Sequence, residues 1–476
     1  MTQFDAAKVQ RIRETLGHPV VDADGHMVEF LPAVREHLVT LAGEELASGM
    51  DQMFDVSRAV KDLDTDTRRA MGLFKMSWWA FPTTGTLDRA AGFLPGFLAE
   101  KLPEIGIDFA VLYPTLGLTV QHVDDADFRS ALGRAFNAYY AEVCAADRDR
   151  IVPVAVIPMH TPEQAIAELD YAVQVQGHRA VVLAGLVARP LPGAGDLRAA
   201  RWIDSFGPDD PHAYDAVWQH CVELGVSPTF HSSAMGWGTR NSLTNYMYNH
   251  IGNFAAAGEA SCRSLLLAGV PQRFPELPFA FLEGGVAWGA NLQADLIGHF
   301  EKRGGPSIDQ FSPEHLDRGL LEELLTRYGS ESIARNRHRL DEALGVLSDP
   351  GEDPETLDEF RHTGVKNVEE IRQIFNDRFF FGCEADDPMT AVAFDPRLNS
   401  HGKRLRALLG SDIGHWDVPD MRCVLLEAWE LVESGCLDEG HFREFSFENA
   451  IDLYTKTNPA FFEGTAVASQ VAEVNA

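Results

Sequence analysis

The sequence has six cysteines but no pair of them at CxxC spacing. This absence argues against a zinc ribbon and a thioredoxin-type redox motif, and it fits a chain whose thiols stay reduced. The first residues contain no apolar run of the kind that a secretory signal needs. No stretch of about 18 residues is apolar throughout, so we expect no membrane-spanning helix and a cytoplasmic protein.

Basic side chains are also scarce. Lysine and arginine together number 40, against 71 aspartates and glutamates, which gives a formal net charge of −31. A surface this negative repels phosphate backbones and anionic lipids, so nucleic acids and membranes are poor candidate partners. The sequence contains no GxGxxG, Walker A or GxSxG motif. These absences argue against nucleotide-dependent chemistry and against a serine hydrolase.

What the sequence does contain is a series of short apolar runs, most of them separated by stretches long enough for a helix. Such near-continuous apolar runs are typical of strands in a parallel sheet that is covered on both faces. The predicted strands are 19–24, 107–115, 151–159, 179–187, 225–233, 277–285, 378–386 and 406–414. Their alternation with helices predicts either a closed (β/α)8 barrel or an open, doubly wound sheet.

The positions of the polar residues favour the barrel. Ionisable or hydroxyl side chains stand at or just after the ends of six of the eight runs. A barrel collects such residues from many strands at one rim, whereas an open sheet concentrates them at one switch point. We therefore predict a single (β/α)8 TIM barrel domain over residues 1–476, with helical insertions at about 27–105 and 287–377.

The segment VVDADGHMVE contains the first candidate ligands. Asp22, Asp24 and His26 alternate along the chain, so in a regular strand all three would face the barrel interior, with Asp22 deepest. Asp24 and His26 would then form a two-point clamp for a divalent ion at the strand end. The alternative is that these aspartates only stabilise the turn that follows.

Two further strand ends supply matching side chains. His231 ends the fifth predicted strand in SPTFHSS, and Asp412 ends the eighth in LLGSDIGHWD. Taken singly, a histidine or aspartate at such a position is more often structural than a ligand. Together with Asp24 and His26 they make a mixed nitrogen and oxygen donor set, which suits zinc, iron(II) or manganese.

These motifs resemble those of the amidohydrolase-2 family of the amidohydrolase superfamily, which includes aminocarboxymuconate semialdehyde decarboxylase, resorcylate decarboxylase and aromatic C–C hydrolases. The resemblance rests on DADGHMVE, the histidine of TFHSS, RFPELPFAFLEGGVAW and LLGSDIGHWD. It implies that Asp24, His26, His231 and Asp412 hold a divalent metal ion, with zinc expected first. It also implies a small-molecule substrate and, together with the large insertions, a homodimer.

Two departures from relatives of this family bear on the chemistry. Many relatives have a histidine at the end of the sixth strand, where this sequence has Glu283 in FLEGG. Glu283 could act as acid/base, as a further ligand or as a structural anchor. Binuclear members of the superfamily bridge their ions with a carboxylated lysine on the fourth strand. The fourth run, HRAVVLAGLVARP, has no lysine, which favours one metal ion.

Candidate substrate contacts are less strongly indicated. The segment 235–253 is rich in aromatic and polar side chains and could form a lid, with Trp237 in it and with Arg240 pairing a substrate carboxylate. It could equally be a packed surface loop or a dimer contact. His160 follows the third strand and His415 follows Asp412, both at the expected rim. The Trp78–Trp79 pair is expected in the core or an interface.

The expected activity is hydrolysis of a C–C or C–N bond in a small aromatic or ring-cleavage-derived carbonyl or carboxylate compound. A metal-activated water would attack, Asp412 would accept its proton, and Glu283 would protonate the leaving group. The alternative is non-oxidative decarboxylation of a hydroxybenzoate-like or muconate-like acid by the same ligands. Hydrolysis is preferred at this point because Glu283 replaces the histidine common among the decarboxylases. A non-catalytic metal- or ligand-binding barrel is the third possibility.

Overall fold

A computed structural model describes residues 2–75, 82–193, 200–345, 354–399 and 404–474. The Trp78–Trp79 pair lies outside these residues, so its expected place in the core or an interface stays a prediction. The strands, in chain order, are Val21–Met27 (β1), Phe109–Pro114 (β2), Ile151–Ile157 (β3), Ala180–Leu183 (β4), Val187–Pro190 (β5), Arg201–Asp204 (β6), Pro228–Phe230 (β7), Phe279–Phe281 (β8), Phe379–Glu384 (β9) and Arg406–Gly410 (β10).

Eight of these strands form one parallel sheet in the order β1-β2-β3-β4-β7-β8-β9-β10. Each strand lies within one of the eight predicted runs or extends it by a few residues. The sheet curls so that β1 approaches β10, where the amide of His26 donates to the carbonyl of Ile413 (2.8 Å) and that of Asp412 donates to the carbonyl of Asp24 (3.1 Å). The predicted (β/α)8 barrel is confirmed.

The barrel strands form where they do because their runs are apolar on both faces. Every residue of β2, β3 and β4 is buried, as expected for strands that contact side chains in the barrel interior and helices outside. Phenylalanines pack across the neighbouring strands β7, β8 and β9: Phe230 stacks on Phe281, and Phe281 meets Phe379 edge-to-face. This packing fixes the half of the barrel from which His231 and Glu283 emerge.

Helices occupy the connections between the strands. The first half of the chain has Ala6–Leu16 (α1), Leu31–Ala42 (α2), Glu44–Lys61 (α3), Thr65–Met71 (α4), Thr86–Phe93 (α5), Pro95–Ile105 (α6), Ala126–Val143 (α7), Pro162–Asp170 (α8) and Asp215–Leu224 (α9). The second half has Tyr246–His250 (α10), Asn253–Leu267 (α11), Val270–Arg273 (α12), Ala287–Arg303 (α13), Arg318–Tyr328 (α14), Glu331–Asn336 (α15), Leu340–Leu344 (α16), Pro354–Leu357 (α17), Val368–Asp377 (α18), Val424–Glu433 (α19), Glu439–Arg443 (α20), Asn449–Thr455 (α21) and Ala468–Val474 (α22).

Shorter helical turns complete the connections. The 3-10 turns are Gly117–His122, Gly305–Phe311, Pro313–His315, Arg337–Arg339, Arg361–Thr363, Pro388–Ala393 and Met421–Cys423, and the π-helical turns are Tyr171–Val175 and Glu444–Glu448. Side-chain caps set several helix starts; Thr161, for example, accepts from the amide of Gln164 at the start of α8.

One element was not expected from the sequence. β5 and β6 pair antiparallel and form a separate two-stranded ribbon on the chain between β4 and β7. The described parts of 27–105 and 287–377 are largely helical, and their status as insertions into a smaller barrel stays a prediction. Among the described residues, no helix combines the length and the apolar character needed to cross a bilayer.

Candidate metal centre

The end of β1 is irregular, and this irregularity separates the roles of its two aspartates. The pairing with β2 shifts between Asp22 and Gly25, so β1 carries an extra residue there. The Asp22 carboxylate accepts from the amide (2.9 Å) and the hydroxyl (2.6 Å) of Ser411, just after β10. Asp22 therefore ties β1 to β10 beneath the site, whereas one carboxylate oxygen of Asp24, Oδ1, has no hydrogen-bond partner.

Side chains from four strand ends converge at this rim of the barrel. His26 Nε2 lies 3.7 Å from Asp24 Oδ1, 3.6 Å from Asp412 Oδ1 and 3.8 Å from Glu283 Oε2. His231 Nε2 lies 2.7 Å from the same Glu283 oxygen. All five side chains are less than a tenth exposed. The residues predicted as ligands, together with Glu283, thus lie around one small volume.

The donor atoms in this volume fit a divalent cation. In the described part of the chain, the buried atoms without a hydrogen-bond partner include Asp24 Oδ1, both ring nitrogens of His26, His231 Nδ1, Glu283 Oε1 and Asp412 Oδ2, while His231 Nε2 and Glu283 Oε2 lie 2.7 Å from each other. Buried polar atoms are normally satisfied, so such a cluster indicates a missing partner. Ligand-competent atoms of Asp24, His26 and His231 lie within 4.8 Å of one another, as do those of His26, Glu283, Asp412 and His415. Imidazole and carboxylate donors suit zinc, iron(II) or manganese.

Two of these residues adopt an unusual backbone conformation. Glu283 has φ of 55° and Asp412 has φ of 50°. Only one other non-glycine residue among those described, Phe206, has a positive φ. Left-handed backbone is uncommon for such residues, and strained positions of this kind cluster at functional sites. The turns after β8 and β10 therefore direct these two carboxyl groups toward the other donors.

Burial dominates the electrostatics of the cluster. It raises the pKa of Asp24 to about 8 and raises the pKa values of Glu283 and Asp412 well above their ordinary range. It lowers the pKa values of His26 and His231, so both imidazoles are neutral, the form that binds metals. Without a cation, the carboxyl groups retain protons.

Two polar side chains outside the proposed ligand set, those of His415 and Asp417, contact or lie near Asp412. His415 Nδ1 lies 2.6 Å from Asp412 Oδ1, and its Nε2 lies 2.9 Å from the hydroxyl of Thr115. Asp417 is a further neighbour; burial, together with the nearby Asp412 carboxyl, raises the pKa of Asp417 to about 8. Asp412 is thus held by protein contacts on one oxygen, while its Oδ2 has no hydrogen-bond partner.

A cleft of about 950 Å³ reaches the cluster, and His231 and His415 both line it. Its wall is largely apolar and includes aromatic rings. The lining also includes polar groups from the β5–β6 ribbon and the turn after β2. Its lining side chains include Phe74, Thr115, His122, Arg201, Trp237 and Phe254. An apolar cleft with a few polar groups at one end is the usual form of a small-molecule site.

The predicted substrate contacts divide into two groups. Trp237 and His415 line the cleft, whereas Arg240 and His160 are not among its described lining residues. Arg240 donates instead to the carbonyl of Gly252 (3.0 Å), and the His160 carbonyl accepts from Arg189 (3.1 Å). The substrate-binding roles of all four residues stay predictions.

Sequence reasoning missed several residues of this region. Thr115, His122, Arg201 and Asp417 lie at the cleft or beside the ligand cluster. Thr115 directly follows β2, so the rule that barrels collect functional residues at strand ends would have found it. Arg201 lies on β6, within a ribbon that was not predicted, and no sequence signal pointed to it.

A comparison with curated proteins gives no significant match. Among solved structures, an amidohydrolase from Mycobacterium avium subsp. paratuberculosis K-10 is 19% identical over 78% of this chain and 75% of its own, with a TM-score of 0.45. 2,6-Dihydroxybenzoate decarboxylase from Rhizobium is 16% identical over 92% and 99%, with a TM-score of 0.47. Dihydroxybenzoic acid decarboxylase from Polaromonas sp. JS666, with bound manganese and 2-nitroresorcinol, is 15% identical over 94% and 99%, with a TM-score of 0.47.

The family itself is established by a direct match of the sequence. The model of the family described as Amidohydrolase matches residues 21–331. This range includes Asp24, His26, His231 and Glu283, and it covers more than half of the chain. The family predicted from the motifs is confirmed: the chain belongs to the amidohydrolase-2 family.

Proposed function

We propose that this protein is a metal-dependent decarboxylase that removes carbon dioxide from a small aromatic acid. The observation that carries the proposal is the crowding of buried carboxyl groups around the cluster of metal-binding donor atoms. Asp24, Glu283 and Asp412 are all buried there, beside two neutral imidazoles. One divalent cation balances two carboxylates, so the third is most stable with its proton retained.

A retained proton at this place suits decarboxylation better than hydrolysis. Replacing a carboxylate on a ring carbon by hydrogen requires an acid next to that carbon, and no water takes part in the bond cleavage. Hydrolysis instead requires an unprotonated base beside the attacking water. Glu283 is the best candidate acid, because burial raises its pKa well above its ordinary range and its Oε1 has no hydrogen-bond partner.

The proposed roles are of two kinds: some residues hold the metal ion, and one residue protonates the substrate. Asp24, His26, His231 and Asp412 would hold the ion, which when bound supplies positive charge that orients the substrate's carboxylate and a neighbouring hydroxyl. Glu283 delivers its proton to the ring carbon that bears the carboxylate. The C–C bond then breaks, its electron pair restores the ring, and neutral carbon dioxide leaves. Glu283 regains a proton from solvent.

The cleft supports an aromatic substrate. The rings of Phe74, Trp237 and Phe254 contribute to its lining and offer flat apolar surface for a substrate ring. The His122 ring, whose pKa is lowered by burial, and Arg201, whose guanidinium is paired with Asp124, add polar groups that can hydrogen-bond to a substrate hydroxyl. A benzoate-sized molecule with its acid group directed at His231 would bury its ring among these side chains.

Hydrolysis, which was preferred on the sequence alone, is the second candidate. The observation in its favour is that Asp412 Oδ2 has no hydrogen-bond partner and is free to accept a proton from an attacking water. The two reactions use the same ligands but differ in the fate of water and carbon. Decarboxylation releases carbon dioxide and places solvent hydrogen on the ring, whereas hydrolysis places solvent oxygen in the product.

The test is incubation of protein loaded with zinc, manganese or iron(II) with a panel of aromatic acids and amides. 2,6-Dihydroxybenzoate, other hydroxybenzoates and ring-cleavage acids belong in the panel. In D2O containing 18O, we expect carbon dioxide release and one deuterium on the product ring. Incorporation of 18O into a new carboxylate without carbon dioxide release would instead establish the hydrolase. Glu276→Gln, at an exposed position, is the matched control for Glu283→Gln.

A further inference from the structure

A chain of hydrogen bonds leads from the cleft to Asp412. The hydroxyl of Thr115 lies 2.9 Å from His415 Nε2, and His415 Nδ1 lies 2.6 Å from Asp412 Oδ1. Asp412 and His415 are buried, while Thr115 is half-buried and lines the cleft. The three side chains come from two connections of the barrel, the one after β2 and the one after β10, which lie on either side of β1.

The partners of the two ring nitrogens determine which of them carries the hydrogen. A neutral imidazole has one N–H and one acceptor nitrogen. When Asp412 holds the metal ion it is a carboxylate, which can only accept, so Nδ1 donates to it in the metal-bound protein. Nε2 is then the acceptor, and the Thr115 hydroxyl donates to it. A valine at position 115 would have the same shape but could not make this bond.

Thr115 is itself held in place by a buried carboxylate. Glu29 accepts from the amides of Thr115 (3.1 Å), Leu116 (2.7 Å) and Gly117 (2.9 Å), and from the hydroxyl of Tyr140 (2.5 Å). Gly117 is required for this arrangement, because a Cβ there would lie 2.0 Å from the Tyr140 hydroxyl oxygen. The turn after β2 is therefore fixed, and the Thr115 hydroxyl is presented to His415 at little cost in conformational entropy.

We propose that Thr115 is a positioning residue for Asp412, acting through His415. Its hydroxyl keeps the hydrogen of His415 on Nδ1, and that hydrogen binds Asp412 Oδ1 and fixes the orientation of the carboxylate, whose Oδ1 lies 3.6 Å from His26 Nε2. The inference rests on the proposed function, because it gives Asp412 a part in the reaction. Partners that orient a ligand in this way affect metal binding or activity by about 10- to 100-fold when removed.

The test compares Thr115→Val with Thr115→Ser. The valine variant removes the hydroxyl and nearly keeps the shape, whereas the serine variant keeps the hydroxyl and removes a methyl group. We expect kcat to fall about 10- to 100-fold in Thr115→Val with KM changed little, and Thr115→Ser to recover most of the activity. A rise in KM alone would make Thr115 a substrate contact and overturn the proposal, as would wild-type kcat in Thr115→Val.

A second measurement needs neither substrate nor turnover. The 15N chemical shifts of the His415 ring, assigned with a His415→Gln variant in zinc-loaded protein labelled at histidine, report which nitrogen carries hydrogen. We expect the Nδ1–H form in the wild type and in Thr115→Ser, and a shifted Nε2 signal in Thr115→Val. Hydrogen on Nε2 in the wild type would overturn the proposal. This measurement does not depend on activity. It therefore tests the role of Thr115 even if the proposed substrate or reaction is wrong.

Discussion

Asp22 and Asp24 show how two identical side chains, two positions apart, differ in what they can do. Both are buried at the end of β1. Asp22 receives two hydrogen bonds from Ser411, whereas Asp24 keeps an unsatisfied oxygen beside His26. A satisfied buried carboxylate holds structure together, and an unsatisfied one needs a cation or a proton. The two residues are of the same type. What distinguishes the structural aspartate from the ligand aspartate is whether its carboxylate oxygens have hydrogen-bond partners.

His231→Ala is expected to abolish stoichiometric metal binding. The imidazole supplies a neutral nitrogen donor, and alanine leaves the remaining carboxylates without it. Metal content after loading and desalting, measured by inductively coupled plasma mass spectrometry, should fall from about one ion per chain to near zero. The control is His315→Ala, which removes an exposed histidine far along the chain. Full metal content in His231→Ala would remove His231 from the ligand set.

Glu283→Gln is expected to reduce kcat by about 10²- to 10⁴-fold while the ion stays bound. Glutamine keeps the shape and polarity of the side chain but cannot deliver the proton, and the four proposed ligands are unchanged. Steady-state kinetics and metal content are measured on the same preparation. If metal is lost together with activity, Glu283 is a ligand in its own right, and the proton donor lies elsewhere.

At the scale of elements, the irregular end of β1 is the feature on which the site depends. A Cβ at Gly25 would lie 2.5 Å from Asp22 Oδ2 and 3.2 Å from Leu112. Gly25→Ala should therefore displace Asp22 from Ser411 and disturb the junction of β1 with β10. We expect a loss of about 1–3 kcal/mol in the free energy of unfolding, together with weaker metal binding. Chemical denaturation and metal competition measure the two effects.

The matched control for this substitution is Gly298→Ala. Gly298 lies inside α13, and a Cβ there meets no atom within 4 Å. Alanine favours a helix interior over glycine by about 0.5–1 kcal/mol, so this variant should be slightly more stable than the wild type. Equal effects of the two substitutions would show that the irregularity in β1 does not position the site.

The sequence predicted the elements better than their local geometry. All eight barrel strands were predicted because long apolar runs have few alternatives to a covered parallel strand. β5 and β6 were missed because VARP and RWID are short, carry charged residues and show no clear periodicity. The positive φ values of Glu283 and Asp412 depend on contacts between distant strand ends, and no local pattern shows them.

In the candidate site, too, the sequence predicted the residues whose positions follow from the strands and not those whose positions depend on loop conformation. Asp24, His26, His231 and Asp412 were predicted because each stands at the end of a strand, and strand ends meet at one rim. Arg240 was predicted to pair a substrate carboxylate because of its chemistry alone. It lies in a loop, and residue type does not determine the conformation of a loop. Its guanidinium contacts the Gly252 carbonyl. Functional residues can therefore be predicted from sequence more reliably at strand ends than in long loops.

At the scale of the whole molecule, acidic groups dominate both surface and centre. The chain carries a formal net charge of −31, and three of its carboxyl groups are buried in one small volume at its centre. A bound cation would relieve repulsion in the centre without changing the surface appreciably. Metal binding should therefore be coupled to the stability of the entire barrel, since the ligands join β1, β7 and β10.

We expect metal to raise the melting temperature, and to raise it more at about pH 8 than at about pH 6. In the metal-free protein the pKa of Asp24 is raised from 3.8 to about 8, so the folded state holds a proton that the unfolded chain releases. Stability from this group is present at low pH and is lost as the pH rises toward 8. The ion displaces that proton, so its apparent affinity increases over the same pH range.

Calorimetry with and without zinc or manganese at the two pH values measures this coupling. An ion at 100 times its dissociation constant stabilises the folded state by about 2.7 kcal/mol, and weaker binding at the lower pH reduces that gain. His231→Ala should show little metal-dependent shift at either pH, because its site is incomplete. An equal shift in wild type at both pH values would mean that the ion does not compete with protons for these carboxyl groups, and the charge argument for a protonated Glu283 would fail with it.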